Sequence, residues 1–398
     1  MRLLFCSLPA HDHLIELIPV AEAARREGHQ VAIAIHERFG PTVTGWGLEH
    51  IDAGPDWVPD VIDNLDTVLP DDMEDFTQYF MAELFCGEPA LAMGEQISQA
   101  IEAWQPDIVL RDTGEFGGYL AAERAGLPHV TVGVLDFNIL FLGKGVVSAL
   151  DKRRREFGLP PDPDGDRMYA YGHLNMLAPD FAPEELEIPN CFSVRVDGVR
   201  PGDKLPEWIG DLVDDSLPLV YASFGTAAST IQSYGPPLAS VITGLGEVDA
   251  NVIVSTGKGL DWHGENILGD TPVPDNVHVA EWVPQALLMR SIDMIVTHAG
   301  PATARQAIVC GVPMVTVPLL FDAFEVAARA VQHGVAVQLD WTSMTPADIA
   351  TAATKVLTDP SYRRAARRLQ ARTLRVPPID HDAVRFLERI HAENPPPR

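Results

Sequence analysis

The first 35 residues alternate between short apolar runs and a stretch with helical spacing, and this alternation constrains the fold more than any other feature. Leu3–Ser7 and Val31–Ile35 have the length and composition of buried strands. Between them, apolar residues recur every three or four positions from Leu14 to Ala24, and Gly28 ends the predicted helix. A strand, a helix and a second strand in this order predict a parallel sheet.

The same alternation continues through the chain with one interruption. Further buried strands are predicted at 106–110, His129–Val134, Leu219–Phe224, Asn251–Ser255, Val277–Ala280, Met294–Thr297 and Pro313–Val317. Further helices are predicted at Glu115–Ala125, Ala302–Cys310, Ala323–Gln332 and Ala383–Ala392. The stretch Asp197–Pro218 has weak periodicity and is rich in Pro, Gly and Asp, which is typical of a linker.

Two βα halves joined by a linker predict an α/β protein with two doubly wound, Rossmann-like domains. We place the N-terminal domain at residues 1–200, the linker at 201–217 and the C-terminal domain at 218–378. Residues 379–398 are expected to form a C-terminal helix that packs back on the N-terminal domain.

The charge of the chain narrows the choice of partners. A formal net charge of −27 repels the phosphates of nucleic acids and anionic membrane surfaces, so we expect neither as a partner. A nucleotide is still compatible with this charge, because local dipoles can hold a small anion inside an acidic protein. The basic run Lys152–Arg155 is interpreted as an exposed helix face.

Apolar runs and cysteines bear on the cellular location. The longest apolar runs, such as Val312–Phe321, are far shorter than the ~20 residues that span a membrane, so no membrane insertion is expected. The four cysteines are scattered and form no CxxC pair, which argues against a disulfide framework or a zinc site. A cytoplasmic location agrees with this cysteine usage.

The strongest chemical signal is the segment Thr297–Thr303, in which a buried strand ends in a turn of small residues and Pro301 opens a helix. Small residues let a ligand approach the backbone, and a helix N-terminus offers free N–H groups and the positive end of its dipole. His298 can add a ring N–H and Thr303 a hydroxyl. The segment predicts an anion site, with an ordinary strand–turn–helix as the alternative.

Other segments flank this turn. Trp282-Val283-Pro284-Gln285 precedes it, and Gly311-Val312-Pro313, Pro318 and Asp322 follow it. In order and spacing these segments resemble the donor signature of the UDP-glycosyltransferase superfamily, inverting enzymes that include plant and actinobacterial antibiotic glycosyltransferases. The family pattern reads W/F-x-P-Q, H-G-G-x-G/S-T, G-V-P and P…D-Q. The resemblance covers nearly the whole chain and implies the GT-B fold, two facing Rossmann-like domains with a deep cleft between them.

The resemblance implies roles for residues of the C-terminal domain. Trp282 would stack on the nucleobase, Gln285 would line the nucleoside pocket, and His298 and Thr303 would bind the diphosphate beside Gly300. Residues 221–226 resemble the family segment V-S-F-G-T, which closes on the phosphates and the sugar. The donor-binding residues implied are Ser223, Gly225, Thr226, Trp282, Val283, Gln285, His298, Gly300, Ala302, Thr303 and Asp322.

The chain departs from the family pattern at four positions. Ala299 and Ala302 replace glycines, which is tolerable if neither position needs a positive φ. Gln306 stands where the family usually has a Glu that contacts the ribose hydroxyls, and Ala323 where it usually has a Gln that contacts the donor hexose. Losing both partners points to a donor with fewer hydroxyls, so we expect a dTDP-deoxysugar rather than a UDP-sugar.

The catalytic residues are expected after the first strand. The family carries a His base before its first helix, and His13 aligns with it, with His11 as the competitor. An imidazole with a pKa near ~6.5 can accept the proton of an attacking hydroxyl at neutral pH. The resemblance implies an Asp that holds the second ring nitrogen, and we assign Asp112, with Glu115 in reserve. Loop or capping roles for these residues are the alternative.

The acceptor is expected to be a small hydrophobic molecule such as a polyketide-type aglycone, because aromatic residues from the Trp57–Phe85 region, Phe116 and the residues around Phe137 are expected to line the cleft of the N-terminal domain. A solvated amphipathic insertion is the alternative for Trp57–Phe85. The residues assigned to its binding are His11, Phe80, Phe116 and Phe137. The helix N-terminus would stabilise the departing nucleotide diphosphate, so no metal or other cofactor is expected beyond the nucleotide-sugar co-substrate. A homodimer is compatible with the sequence.

Three other functions compete with sugar transfer. An NAD-dependent oxidoreductase needs G-x-G-x-x-G after a strand, whereas the first strand runs into Leu8-Pro9-Ala10-His11. A nucleotide-sugar epimerase shares the two-domain plan and would need no acceptor. A glycosyltransferase-like binding or activating partner without catalysis is the third, because Gln306 and Ala323 depart from the pattern.

Overall fold

The computed structural model describes residues 1–57, 81–133, 144–177, 181, 188, 190–200, 202–213, 216–225, 235–257, 272–319 and 322–397. These residues divide into two compact units. The first unit holds the described residues up to Val196 together with those from Val376 onward, and the second holds the described residues of Asp197–Arg375. Among the described helices, none has the length and apolar character needed to cross a membrane.

The first unit is built on a seven-stranded parallel sheet in the order β3-β2-β1-β4-β5-β6-β7. Its strands are β1 Arg2–Cys6, β2 Gln30–Ile35, β3 Glu49–Asp52, β4 Ile108–Asp112, β5 His129–Gly133, β6 His173–Asn175 and β7 Cys191–Ser193. Its helices are α1 His11–Arg26, α2 Gly40–Gly45, α3 Glu88–Trp104, α4 Gly117–Ala125 and α5 Lys144–Glu156, with shorter helical turns at Glu37–Phe39, Met81–Phe85 and Asp166–Tyr169.

Both faces of this sheet are covered, which is why its strands are almost continuously apolar. Leu3 and Phe5 point to one face and pack with the buried side of α1, whereas Leu4 and Cys6 point to the other face and pack against α3 and α4. All four side chains are fully buried.

The end of the chain returns to the first unit. The final helix follows Pro378, which forms a backbone bridge with Arg195. Phe386 of this helix stacks on Phe192 with ring centroids 5.2 Å apart, and Leu387 is fully buried in the same core.

The second unit is a six-stranded parallel sheet in the order β10-β9-β8-β11-β12-β13. Its strands are β8 Leu219–Ser223, β9 Asn251–Ser255, β10 Val277–Ala280, β11 Met294–Thr297, β12 Met314–Thr316 and β13 Ala336–Gln338. Its helices are α6 Glu207–Asp211, α7 Gly235–Gly246, α8 Gln285–Leu288, α9 Pro301–Cys310, α10 Ala323–Gln332, α11 Pro346–Thr358 and α12 Pro360–Thr373, and the final helix in the first unit is α13 His381–Glu393.

The segment predicted to be a linker at 201–217 instead belongs to the second unit as far as it is described. It contains α6, whose Ile209 is buried, and the carbonyl of Leu212 accepts a hydrogen bond from Asn251 Nδ2 at 2.6 Å. The unit boundaries fall after Val196 and Arg375, not at 201 and 378. Periodicity misses the segment because a short helix with one buried residue has no repeating pattern.

The basic run Lys152–Arg155 is not uniformly exposed as predicted. Arg153 and Arg154 on α5 are both buried. Arg153 donates to the carbonyl oxygen of Cys86 at 3.1 Å, and Arg154 pairs with the Glu123 carboxylate at 3.1 Å. The prediction failed because the buried partners of these arginines lie far away in sequence.

The turn between β11 and α9 contains an alanine in the left-handed backbone conformation. Ala299 has a φ of 65°, so one of the two family glycines replaced by alanine occupies a position that does need a positive φ. A non-glycine residue in this region costs about 1–2 kcal/mol, because its Cβ approaches the following carbonyl oxygen. Ala302 lies inside α9, where alanine is favourable. The replacement at 299 is therefore strained and the one at 302 is not.

Glycine substitutions should separate these two positions. We expect Ala299→Gly to leave stability unchanged or raise it by up to about 1 kcal/mol, because relief of strain outweighs the ~0.8 kcal/mol lost with one buried methyl group. Ala302→Gly should lower stability by up to about 1 kcal/mol. Urea unfolding midpoints provide the measurement, and equal losses in both variants would contradict the strain.

Two histidines of the first sheet are buried among aromatic rings. His129 lies edge-on to the rings of Tyr119 and Tyr171, each with a centroid distance of 5.1 Å, and burial lowers its pKa. His173 is fully buried near Tyr169, and burial, followed by the charge of Arg111, lowers its pKa to about 3. Both side chains are therefore neutral in the folded protein at neutral pH.

Stability should consequently fall in mild acid. Below pH ~6.5 the unfolded chain binds protons that folded His173 rejects, so its contribution is complete above pH 6.5 and is lost as the pH falls toward 3. Each such histidine adds up to about 1.4 kcal/mol per pH unit to the slope of the free energy of unfolding against pH. His173→Asn should flatten the decline in the urea midpoint between pH 6.5 and 5.5, whereas His381→Asn, at an exposed position on α13, should not. Identical slopes in all three proteins would contradict the prediction.

Candidate active site

The turn after β1 leads directly into α1. The helix begins at His11, so His13 lies in its first turn rather than in a preceding loop. The His13 side chain is 17% exposed, which leaves one edge of the ring accessible, whereas His11 is exposed.

Asp112 joins this turn to the sheet. It ends β4, which pairs with β1, and its Oδ1 lies 2.9 Å from His13 Nδ1 and 2.8 Å from the backbone N of Gly114. Its Oδ2 accepts a hydrogen bond from the backbone N–H of Leu8 at 2.7 Å. An ionised carboxylate only accepts hydrogen bonds, so His13 carries its proton on Nδ1 and presents the lone pair of Nε2. The structure thus brings together the predicted pair His13 and Asp112.

Glu115, the reserve candidate, has a different setting. Its side chain is buried, and both carboxylate oxygens lie 2.9 Å from the backbone N of Gly118 in the first turn of α4. Burial raises the pKa of Glu115 to about 7. The hydrogen bonds make it a capping group for α4, and the His13 ring nitrogen bonds Asp112 instead.

A small pocket, open to solvent, lies in the first unit near His13, whose ring faces that of the lining residue Phe85. Phe116, one of the predicted acceptor residues, is in its wall, and the ring of Phe85 lies 6.2 Å from the His13 ring. The predicted residues Phe80 and Phe137 lie outside the described part of the chain. The lining residues are Ser7, Leu8, Pro9, Ala53, Gly54, Pro55, Trp57, Leu84, Phe85, Pro89, Ala90, Met93, Glu115 and Phe116.

The Trp57–Phe85 region was predicted to form part of the wall of the acceptor cleft, and the described residues at its two ends line this pocket. Trp57 packs edge-on against Phe85 with centroids 5.5 Å apart, and both rings line the pocket. Trp57 and Phe85 lie at the two ends of an acidic segment with scattered aromatic residues. The aromatic residues indicated a pocket wall, but no periodicity showed which of them face the pocket. The pocket is apolar except for Ser7 and Glu115 and the backbone.

Arg111, next to Asp112, was also missed. Its side chain is fully buried, and Nη1 and Nη2 donate to the carbonyl oxygens of Glu115 and Met168, each at 3.2 Å. The guanidinium lies 5.2 Å from the ring centroid of Phe116. A buried cation under the pocket wall therefore fixes the strand end that carries Asp112.

The donor residues of the second unit gather at the carboxyl ends of β8 and β11. These strands are paired, with Thr297 opposite Ser223, so the turns that follow them leave the sheet side by side. The His298 ring lies between the two turns. A methyl group added at Gly225 would be 2.8 Å from its Cε1, and one added at Gly300 would be 2.4 Å from its Nε2. A side chain at either position would displace the His298 ring, and Gly225 also has a φ of 75°, which favours glycine.

The helix α9 presents its N-terminus at the same place. Gly300 is the N-cap and Pro301 the first helical residue, and no side chain of the described residues caps the turn. The first backbone N–H groups of α9 have no acceptor within the helix, which is the property that an anion site uses. A helix N-terminus after a turn of small residues is what the predicted phosphate site requires.

The Trp282–Gln285 segment contacts this helix from the other side. Gln285 Nε2 donates to Thr303 Oγ1 at 3.3 Å and to Gln306 Oε1 at 2.8 Å. Val283 is buried, whereas Trp282 is 53% exposed, so its indole face is open for stacking. The structure thus brings the two motifs together through a chain of three polar side chains.

Asp322 and Thr226 are the two remaining residues predicted to bind the donor. Asp322 is buried at the N-cap of α10, which follows β12 at the same edge of the sheet. Ala323 is the first residue of that helix. Thr226 lies outside the described residues.

Comparison with known proteins shows similarity to glycosyltransferases. Residues 239–388 match the family model of the erythromycin biosynthesis protein CIII-like C-terminal domain. Tylactone mycaminosyltransferase of Streptomyces fradiae is 24% identical over 98% of this chain and 93% of its own length. Among solved structures, spinosyn forosaminyltransferase SpnP has a TM-score of 0.77 at 23% identity, covering 98% of this chain and 99% of its own. The glycosyltransferase VinC in complex with dTDP has a TM-score of 0.76 at 23% identity, covering 99% of this chain and 100% of its own.

These similarities extend over both units, and they confirm the predicted fold and enzyme class. The family model covers most of the second unit and the first part of α13, and the full-length matches include the first unit. The chain is a GT-B glycosyltransferase related to the actinobacterial enzymes of antibiotic biosynthesis.

Proposed function

We propose that this glycosyltransferase moves a deoxysugar from a dTDP-sugar to a hydroxyl group of a hydrophobic natural-product aglycone, with inversion at the anomeric carbon. The observation that carries the proposal is the hydrogen bond from His13 Nδ1 to Asp112 Oδ1 beside an apolar pocket. Sugar transfer itself is supported by relatives that match along the whole chain and are named as glycosyltransferases.

In the proposed mechanism His13 acts as the general base. Its Nε2 takes the proton of the acceptor hydroxyl while the oxygen forms a bond to the anomeric carbon and the bond to the diphosphate breaks. Because the N–H group at Nδ1 stays hydrogen-bonded to Asp112, the carboxylate stabilises the imidazolium that forms. The other hydrogen bonds of Asp112 hold it in position before the reaction begins.

The second unit would stabilise the departing nucleotide diphosphate. The N–H groups and the positive dipole end at the start of α9 face a developing negative charge, and His298 and the Thr303 hydroxyl add donors. Trp282, with half of its surface exposed, supplies the face on which the nucleobase would stack.

The identity of the nucleotide rests on Gln306. Its Oε1 already accepts a hydrogen bond from Gln285 Nε2, so a neutral amide, engaged within the protein, replaces the carboxylate that would accept from ribose hydroxyls. Ala323 likewise offers no polar atom to the sugar. A donor with a deoxyribose and a deoxysugar loses the least from both changes, and the related VinC was solved with dTDP.

The acceptor pocket supports a hydrophobic substrate. Its wall is formed largely by apolar and aromatic side chains, such as Trp57, Phe85 and Phe116, next to His13. Such a wall favours apolar acceptors through the surface that it removes from water. Relatives are named for transfer to tylactone and erythronolide, and we extend this class of acceptor to the present chain.

The base can be tested by comparing the two histidines of the first turn. His13→Ala should lower kcat for sugar transfer by about 10²–10⁴-fold with little change in the KM of the donor, because general base catalysis contributes that much. His11→Ala is the comparison variant. The structure leaves His11 exposed and does not place it among the residues that line the pocket, contrary to its assignment to acceptor binding, so this variant should retain most of the activity. Product formation followed by liquid chromatography gives the rates, and equal losses in both variants would contradict the assignment.

The choice of nucleotide can be tested at Gln306. Gln306→Glu should raise the ratio of kcat/KM for UDP-sugar over dTDP-sugar by about tenfold, because a hydrogen bond from a ribose hydroxyl to a charged group contributes about 1.5–3 kcal/mol. Gln332→Glu, which adds the same charge at an exposed site at the end of α10, should leave the ratio unchanged. Calorimetric dissociation constants for dTDP and UDP give an independent readout. A wild-type enzyme that prefers UDP-glucose would refute the donor assignment.

A further inference from the structure

Arg38 joins two segments of the acceptor pocket. It lies in the short helical turn Glu37–Phe39 after β2. Its Nη2 donates a hydrogen bond to the carbonyl oxygen of Pro9 at 3.0 Å and lies 2.9 Å from Asp56 Oδ1. The guanidinium carbon is 4.7 Å from the centroid of the Phe39 ring, and this ring is buried in the core. Three contacts therefore fix the guanidinium in one position.

Both segments that Arg38 joins matter for the site. Pro9 lines the pocket and stands in the turn that leads into α1, four residues before His13. Asp56 lies between Pro55 and Trp57, which form the opposite part of the pocket wall. The sheet does not fix these two segments relative to each other, because both lie beyond the ends of their strands.

The pair itself should add little to the stability of the fold. The side chain of Arg38 is 45% exposed, and ion pairs of this exposure contribute little to folding. The hydrogen bond to Pro9 and the ion pair with Asp56 thus constrain the position of the pocket segments more than they stabilise the unit. The turn that carries His13 is held on one side by Asp112, through Leu8, and on the other by Arg38, through Pro9.

We propose that Arg38 and Asp56 are positioning residues that clamp the turn carrying His13 to the 53–57 segment of the pocket wall. The clamp sets the distance between the ring of His13 and an acceptor held in the pocket. This proposal rests on the proposed function, because it assigns the pocket to the acceptor and the ring to proton transfer. Neither residue touches the reacting atoms.

Kinetics test the clamp with Arg38→Gln, Asp56→Asn and Arg38→Lys. The first two should raise the KM of the acceptor and lower kcat, each by about tenfold, because small displacements of reacting groups are costly. The KM of the donor and the melting temperature should not change. Arg38→Lys should retain part of the activity that Arg38→Gln loses. The control is Arg124→Gln, which removes a similarly exposed pair with Glu95 in the same unit. A lowered melting temperature that accounts for the lost activity would overturn the proposal.

A second readout does not depend on turnover. In protein labelled with ¹⁵N-histidine, the ring signals of His13 are assigned by their loss in His13→Gln. Arg38→Gln should shift or broaden them, and Arg124→Gln should not. Unchanged His13 signals together with an unchanged acceptor KM in Arg38→Gln would overturn the clamp. A wild-type enzyme that transfers no sugar would refute the proposed function instead, and the ring signals would then decide on the clamp alone.

Discussion

One carboxylate holds the candidate acceptor site together. Asp112 accepts hydrogen bonds from the backbone N–H groups of Leu8 and Gly114 and from the ring of His13. These donors belong to the ends of two neighbouring strands and to the first turn of a helix, so the position of the histidine depends on strand pairing rather than on its own loop. Buried Arg111 beneath this strand end fixes the carbonyl groups that surround it. The pairing of β1 with β4 therefore determines where His13 and Asp112 lie.

The predicted donor site depends on the shape of the backbone, whereas the candidate acceptor site depends on side-chain contacts. The His298 ring can lie between two strand ends only because Gly225 and Gly300 have no Cβ. The same turn takes a left-handed conformation at Ala299, a residue that does not favour it. Strain at a ligand-binding turn is tolerated when neighbouring strands and a helix determine the path of the chain. Gln285 Nε2 donates to both Thr303 Oγ1 and Gln306 Oε1, and these two hydrogen bonds tie α9 to the Trp282–Gln285 segment.

Regular patterns in the sequence predicted the fold well, and irregular contacts escaped prediction. The predicted strands Asn251–Ser255 and Met294–Thr297 have the observed bounds, because a parallel strand covered on both faces is a continuous apolar run. Buried Arg154 was taken for a surface residue, since its partner Glu123 lies on another helix and nothing local indicates the pairing. The Trp57–Phe85 region and Phe116 were predicted to line the cleft, but the other lining residues come from distant parts of the chain and were not predicted. The pair of His13 with Asp112 was reached only through a family resemblance. Separation along the chain, more than chemistry, decided what could be predicted.

The return of α13 to the first unit bears on how the chain folds. Phe386 and Leu387 complete the core around Leu3 and Phe5, although nearly the whole chain separates them. The second unit is thus an insertion between two parts of one core, and it has its own sheet and can order first during synthesis. The first unit must wait for the last helix to leave the ribosome, and until then its apolar surface beside α1 is uncovered. The chain between β1 and α13 forms a long loop, but the entropic cost of closing a loop grows only slowly with its length. A second unit that is already folded makes this loop effectively shorter.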